Sequence, residues 1–156
     1  MSVYAITSAD LAARLTPRTL AAVTDDAAGR TVDDALVAEK VLDAEATFHS
    51  YAGVYYATPI AAPPENVRLA KRLVVDLAAW ELLSRRPHVI SGEVGEAERS
   101  RNDATLRWLR DLASRERRVQ LVGSPERVAD SANALSGGAT VIADDEQFTA
   151  ASLAQF

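Results

Sequence analysis

The chain of 156 residues contains no cysteine. That absence excludes a disulfide framework, a thiolate metal site and a cysteine nucleophile, and it is compatible with any compartment. Histidine is scarce as well: only His49 and His88 occur. Aromatic residues make up 6% of the chain, and four of them (Phe48, Tyr51, Tyr55 and Tyr56) crowd into the stretch "TFHSYAGVYYATPIAAPP". No apolar run approaches the roughly 20 residues that cross a bilayer. The opening "MSVYAITSADLAARL" lacks the basic start and apolar core of a signal peptide. These absences predict a product of the cytoplasm with no membrane association. An excess of cations is also missing. The net charge of −5 argues against a generic nucleic-acid binder, which needs bases to neutralise phosphates.

What is present is a chain of ordinary globular composition, 48% apolar and 25% charged, long enough for one domain with its own core. Its charge is uneven. Residues 1–50 hold eight acids against four bases, and residues 98–118 hold seven arginines against four acids. Such an asymmetry suits head-to-tail contact between copies at least as well as contact with DNA.

Helical signals run through residues 1–118. "TSAD" reads as a capping box starting a short helix to about Leu15, and Thr16-Pro17 offers a second start, with a hydroxyl cap and a proline at the first helical position. Thr31 is the expected cap of a third helix, with Asp33 and Asp34 in a first turn that favours anions. Val37, Val41, Ala44, Phe48, Tyr51 and Tyr55 then advance by alternating steps of four and three, one stripe on a helical period. The aromatic cluster is thereby the end of a core-facing helix, before Pro59, Pro63 and Pro64 break the chain. A fourth helix is expected over about 65–84. Its face of Val67, Ala70, Val74 and Leu77, flanked by Leu73 and Trp80, is broad enough for a central position. "HVISGEVGE" reads as a loop. A fifth helix follows over about 96–117, with Ala104, Trp108 and Leu112 toward the core and Arg99, Arg107 and Arg110 with Arg117 and Arg118 as a basic face. Phe48, Tyr51, Tyr55, Trp80 and Trp108 are the expected core anchors.

After Arg118 the chain turns polar and rich in Gly, Ser and Ala. The expected architecture is all-α: two short N-terminal helices and three longer ones over 1–118, then an extended C-terminal arm over 119–156. Phe148, Leu153 and Phe156 stand in that arm as isolated large apolar anchors, a spacing suited to docking in a neighbour's groove.

Catalytic constellations are not evident. His49 lies beside the apolar stripe and His88 in a loop, neither with a partner motif, and no HExxH, GxSxG or P-loop is present. The acid pairs Asp25-Asp26 and Asp33-Asp34 and the triplet Asp144-Asp145-Glu146 each have a plain helix-end or surface reading. No enzyme activity, cofactor or metal is expected. The arginines of the fifth helix are read as a solvated face, as intersubunit bridges or as contacts to DNA phosphates.

Five stretches together resemble one family. They are "YAITSADLAARLTPRTLAAVTDD", "VLDAEATFHSYAGVYYATPI", "RRP", "NDATLRWLRDLA" and the closing "QFTAASLAQF". In order and spacing these are similar to the Mu-like prophage virion proteins, a family of unknown function that resembles phage head–tail connector (adaptor, neck) proteins. The chain departs from the family pattern at Tyr55-Tyr56, Arg101-Asn102 and Ser114-Arg115. The resemblance implies a structural subunit in the virion neck, present in the host cytoplasm during assembly. It implies a ring of about twelve copies that joins portal and head to the tail, lets DNA pass and performs no catalysis. A DNA-binding regulator or a small helical interaction protein is the alternative reading.

Overall fold

A computed structural model describes residues 2–26, 29–87, 92–114 and 121–126. The fold is all-α. Its five helices are α1 (Ser8–Leu15), α2 (Pro17–Thr24), α3 (Asp34–Ala52), α4 (Pro64–Ser84) and α5 (Gly92–Ala113). Among the described residues there is no strand, only an isolated antiparallel bridge between Tyr56 and Glu126.

The N-terminal corner forms as its sequence dictates. The Asp10 carboxylate accepts from the Thr7 N–H at 2.9 Å, closing the first turn of α1. Thr16 alone separates α1 from α2, at φ 78°, a conformation rare for a β-branched residue. Its hydroxyl oxygen accepts from the Thr19 N–H at 3.3 Å, and Pro17 opens the helix with φ already set. The far end of α2 is capped from a distance. Arg85 and Arg86, just past α4, donate to the Val23 and Ala22 carbonyls at 3.2 and 2.9 Å, placing cations at the negative end of the α2 dipole.

Three expectations about helix ends need correction. Asp33, not Thr31, caps α3: one carboxylate oxygen accepts from both Ala35 and Leu36 at 3.0 and 3.1 Å, while the Thr31 hydroxyl donates to Asp25 at 3.1 Å. A carboxylate serves two orphan N–H groups where a hydroxyl serves one, so the acid wins the position. Second, α3 ends at Ala52, short of Tyr55. The Gly53 N–H donates to the His49 carbonyl at 2.8 Å, and a Cβ at residue 53 would stand 2.6 Å from that oxygen. Only glycine fits the turn, and it brings Tyr56 rather than Tyr55 fully into the core. Third, α5 starts at Gly92, inside the expected loop, and its described part ends at Ala113.

The core is built around α4, which packs on all four other helices. Its buried residues include Ala70, Leu73, Val74, Leu77, Ala78, Leu82 and Leu83, wider than one stripe because helices lie on several sides. Phe48 is fully buried beneath Tyr4, whose ring meets it edge-on at 5.9 Å. On α5 the buried positions are Asn102, Thr105, Leu109 and Leu112, stepping 3, 4, 3. The core face is therefore rotated from the expected line of Ala104 and Trp108. Ala104 is exposed and Trp108 half-buried at the edge, because α5 has helices on one side only.

The body continues past residue 118. Leu121 is 2% exposed, and its N–H donates to the Tyr56 hydroxyl at 3.2 Å. Asn66 at the start of α4 donates to the Val122 carbonyl and the Ser124 hydroxyl at 3.0 and 2.9 Å. Residues 127–156, including Phe148, Leu153 and Phe156, lie outside the described residues.

One polar joint locks three helices. From α1, Arg14 donates to Asp76 of α4 at 2.7 Å and, through both terminal nitrogens, to Glu98 of α5 at 3.2 and 2.7 Å. All three side chains are less than a fifth exposed. Burial opposes the Arg14 charge, but the bonds to Glu98 and Asp76 outweigh it and raise its pKa. The same bond from Arg14 holds the Glu98 carboxyl below its ordinary value, against the effect of burial.

Arg14→Ala strands two half-buried carboxylates and is expected to destabilise the fold by roughly 2–4 kcal/mol, read by denaturant unfolding. Because the Glu98 pKa is depressed in the fold, its contribution is complete above its unfolded value of 4.5 and is lost as pH falls through the folded value. Below that value wild type should lose this stabilisation and Arg14→Ala should not, which parallel unfolding series across acid pH will show.

Candidate functional site

Two surface features and one internal network carry the polar side chains from which function could arise. The first is a groove of about 550 Å³ between α4 and α5. Leu69, Arg72, Leu73 and Asp76 line it from α4, and Arg101, Ala104, Thr105 and Trp108 from α5, with Arg14 at its end. Since Arg14 binds both Asp76 and Glu98, the charged end of the groove is fixed there. The two helices run antiparallel, which places Leu69 and Trp108 at the opposite end. Both acids at the charged end are committed to Arg14. Arg101 touches Glu98 only at 3.4 Å, and Arg72 forms no ion pair among the described residues. A half-buried tryptophan beside under-committed arginines is the composition of an interaction hot spot.

The second feature is the outer face of α5. Arg99, Arg107 and Arg110 are exposed there, as their spacing predicts. Glu96 and Asp103 alternate with Arg99 and Arg107 along the same shallow surface, so the face is of mixed sign. Alternating charges suit a protein partner carrying a complementary pattern better than a uniform row of phosphates. Arg117 and Arg118 lie outside the described residues.

The network joins the N-terminal segment to α3. Glu45 is only 4% exposed, and its carboxylate accepts from the Ser2 hydroxyl at 2.5 Å and from the Val3 and Tyr4 N–H groups at 3.2 Å each. The Tyr4 hydroxyl accepts from the Ile60 N–H at 3.1 Å, leaving its own proton to donate to His49 Nε2 at 3.1 Å. With its proton directed to Nε2, the Tyr4 hydroxyl pairs with the His49 tautomer that carries its hydrogen on Nδ1; with Nε2 protonated, the same oxygen accepts from it. Burial pushes the His49 pKa down, while the charge of Glu45 acts the other way. Burial likewise raises the Tyr4 pKa, with a smaller rise from Glu45.

A shallow groove of about 590 Å³ borders His49, lined also by Ser50, Gly53, Val54, Tyr56, Ala57 and Thr58. Ser50 donates to the Thr47 carbonyl at 2.7 Å. His49 faces a tyrosine rather than a serine, and Glu45 is occupied by three donors. The arrangement anchors the segment before α1 and the loop after α3; it does not assemble a nucleophile with a base. Among the described residues, no group of three His, Asp or Glu side chains could hold a metal ion. No helix among them is long and apolar enough to cross a membrane.

Of the residues singled out by sequence, Phe48 is fully buried, while Tyr51, Tyr55, Trp80 and Trp108 are half-buried. Sequence reasoning passed over Glu45, Arg14, Arg72 and Arg101. Glu45 follows Ala44 on the inner side of α3, and a carboxylate at a core-facing position was the available signal.

A family model described as bacteriophage Mu, Gp36 matches residues 4–136. No curated protein matches the chain.

His49 has a depressed pKa in the fold, so its contribution to stability is full above its unfolded value of 6.5 and is lost as pH falls through the folded value. Thermal unfolding should therefore show a midpoint that falls as pH drops from 6.5 toward the folded value, and His49→Gln should flatten it. Equal slopes in both proteins would remove His49 as the titrating group.

Proposed function

The chain belongs to the bacteriophage Mu Gp36 family, and from that premise we propose that this Mu-like phage protein is a structural subunit of the virion neck. In this reading it is a head–tail connector or adaptor that assembles with copies of itself into a ring, meets portal and head on one side and tail on the other, and leaves a channel for DNA. The observation that carries it is the extent of the family match, which spans every described helix.

The surface chemistry agrees with such a role. An amphipathic groove with Trp108 and a mixed-charge α5 face are interfaces for protein, and the acids of residues 1–50 complement the arginines of α5. A heterologous contact between unlike faces closes into a ring when its rotation allows. The polar groups around His49 are consumed in holding the fold, so the reading includes no catalysis and no cofactor. Phe148, Leu153 and Phe156 serve as the anchors by which the C-terminal arm engages a neighbour or the portal. A DNA-binding regulator is the weaker reading, because acids interleave with Arg99 and Arg107 and the net charge is −5.

Native mass measurement and electron microscopy of the protein, alone and with head and tail components, are expected to yield a closed ring of about twelve copies. A chain that stays monomeric in all of these mixtures overturns the assignment. Deleting residues 146–156 should abolish the ring and leave the helical circular-dichroism signal intact. An unchanged ring would remove the arm from assembly.

A further inference from the structure

We propose that the α4–α5 groove receives residues 144–148 of a neighbouring copy, with Asp144, Asp145 and Glu146 against Arg72 and Arg101 and Phe148 on Trp108. The choice of a neighbouring copy as the source rests on the ring reading; the match of segment to groove does not.

The groove has direction. Its cations stand at the Arg14 end and along its middle, and its large apolar surface at the Leu69–Trp108 end. A ligand must therefore carry acid at one end and an apolar anchor at the other. The segment "DDEQF" does, with three carboxylates and then one aromatic. The separations agree too. Arg101 and Trp108 are seven residues apart on α5, about 10 Å along the axis at about 1.5 Å per residue. Asp145 and Phe148 are three apart, also about 10 Å in an extended chain at about 3.3 Å per residue.

The groove's own acids are outnumbered. Arg14, Arg72 and Arg101 stand against Asp76 and Glu98, both of which are held by Arg14 at distances as short as 2.7 Å, so an incoming carboxylate meets Arg72 and Arg101 as the available charges. Arg101 exchanges a 3.4 Å contact with Glu98 for a new partner. Phe148 gains the partly exposed Trp108 and Leu69 as a seat. Arginine and aromatic pairs of this kind dominate the energetics of protein interfaces.

The absence of cysteine permits a direct test on full-length chains. Ala104→Cys in one copy is mixed with Gln147→Cys in another, which keeps Phe148, under mild oxidation, so that only the introduced thiols can pair. A covalent heterodimer is expected, with no comparable product from a Ser50→Cys and Gln147→Cys mixture. Adding Arg72→Glu and Arg101→Glu to the first copy should lower the yield roughly tenfold. Asp144→Arg with Asp145→Arg in the second copy should restore it. Failure to link at Ala104, equal linking at Ser50, or indifference to the charge reversals would each overturn the proposal. Linkage without a ring in the microscope sinks the connector reading alone, and a ring without linkage sinks the groove assignment alone.

Discussion

The Arg14 guanidinium is the joint on which the described architecture turns. Three helices are held at one corner by a single planar cation with fixed donor geometry, bound in two directions at once. It secures the N-terminal half of α5, where Gly92 and Gly95 are weak helix formers and where Asn102 is the first buried side chain among those described. With it, α5 is pinned beside α4 at a set register. The wall of the α4–α5 groove is thus a by-product of a structural ion pair, and so is the freedom of Arg72 and Arg101 to face outward.

A second buried charge organises the other end. Glu45 gathers the N-terminal segment onto α3, and this gathering seats Tyr4 over Phe48 and His49 and beneath Ile60. No buried side-chain polar atom among the described residues lacks a partner, and a buried carboxylate is tolerable only on that condition. His49, the one residue of this network weighed as a catalytic candidate, is committed with Glu45 and Tyr4 to fastening two irregular segments to a helix. In the proposed role of a subunit that works by contact, function falls to the outer surfaces.

The number and order of helices were legible because the Asp10 capping box, Pro17 and the steps of Val37, Val41, Ala44 and Phe48 are local signals with local causes. The central place of α4 was legible too, from a face too wide for one neighbour. The core face of α5 was not, since Ala104, Trp108 and Leu112 make the more apolar line, and Asn102 and Thr105 are buried only because of where α3 and α4 stand. The extent of the body beyond Arg118 was hidden for a similar reason. Nothing in "LVGSPE" is apolar enough to announce itself, but Leu121 and Ser124 are held by Tyr56, Asn66 and Ala62, some sixty residues away. The groove itself was invisible, because Arg72 and Arg101 gain meaning only when two antiparallel helices set them beside Trp108.

By itself, then, the sequence determined the number and order of the helices and that cysteine chemistry is excluded. These follow from backbone hydrogen-bonding needs and from periodicities of three and four residues. Tertiary structure decided which carboxylates are buried, which arginines are consumed and which remain on the surface. Those outcomes depend on pairs such as Arg14 with Glu98, or Glu45 with Tyr4, that are far apart in the chain and meet only after the helices have packed.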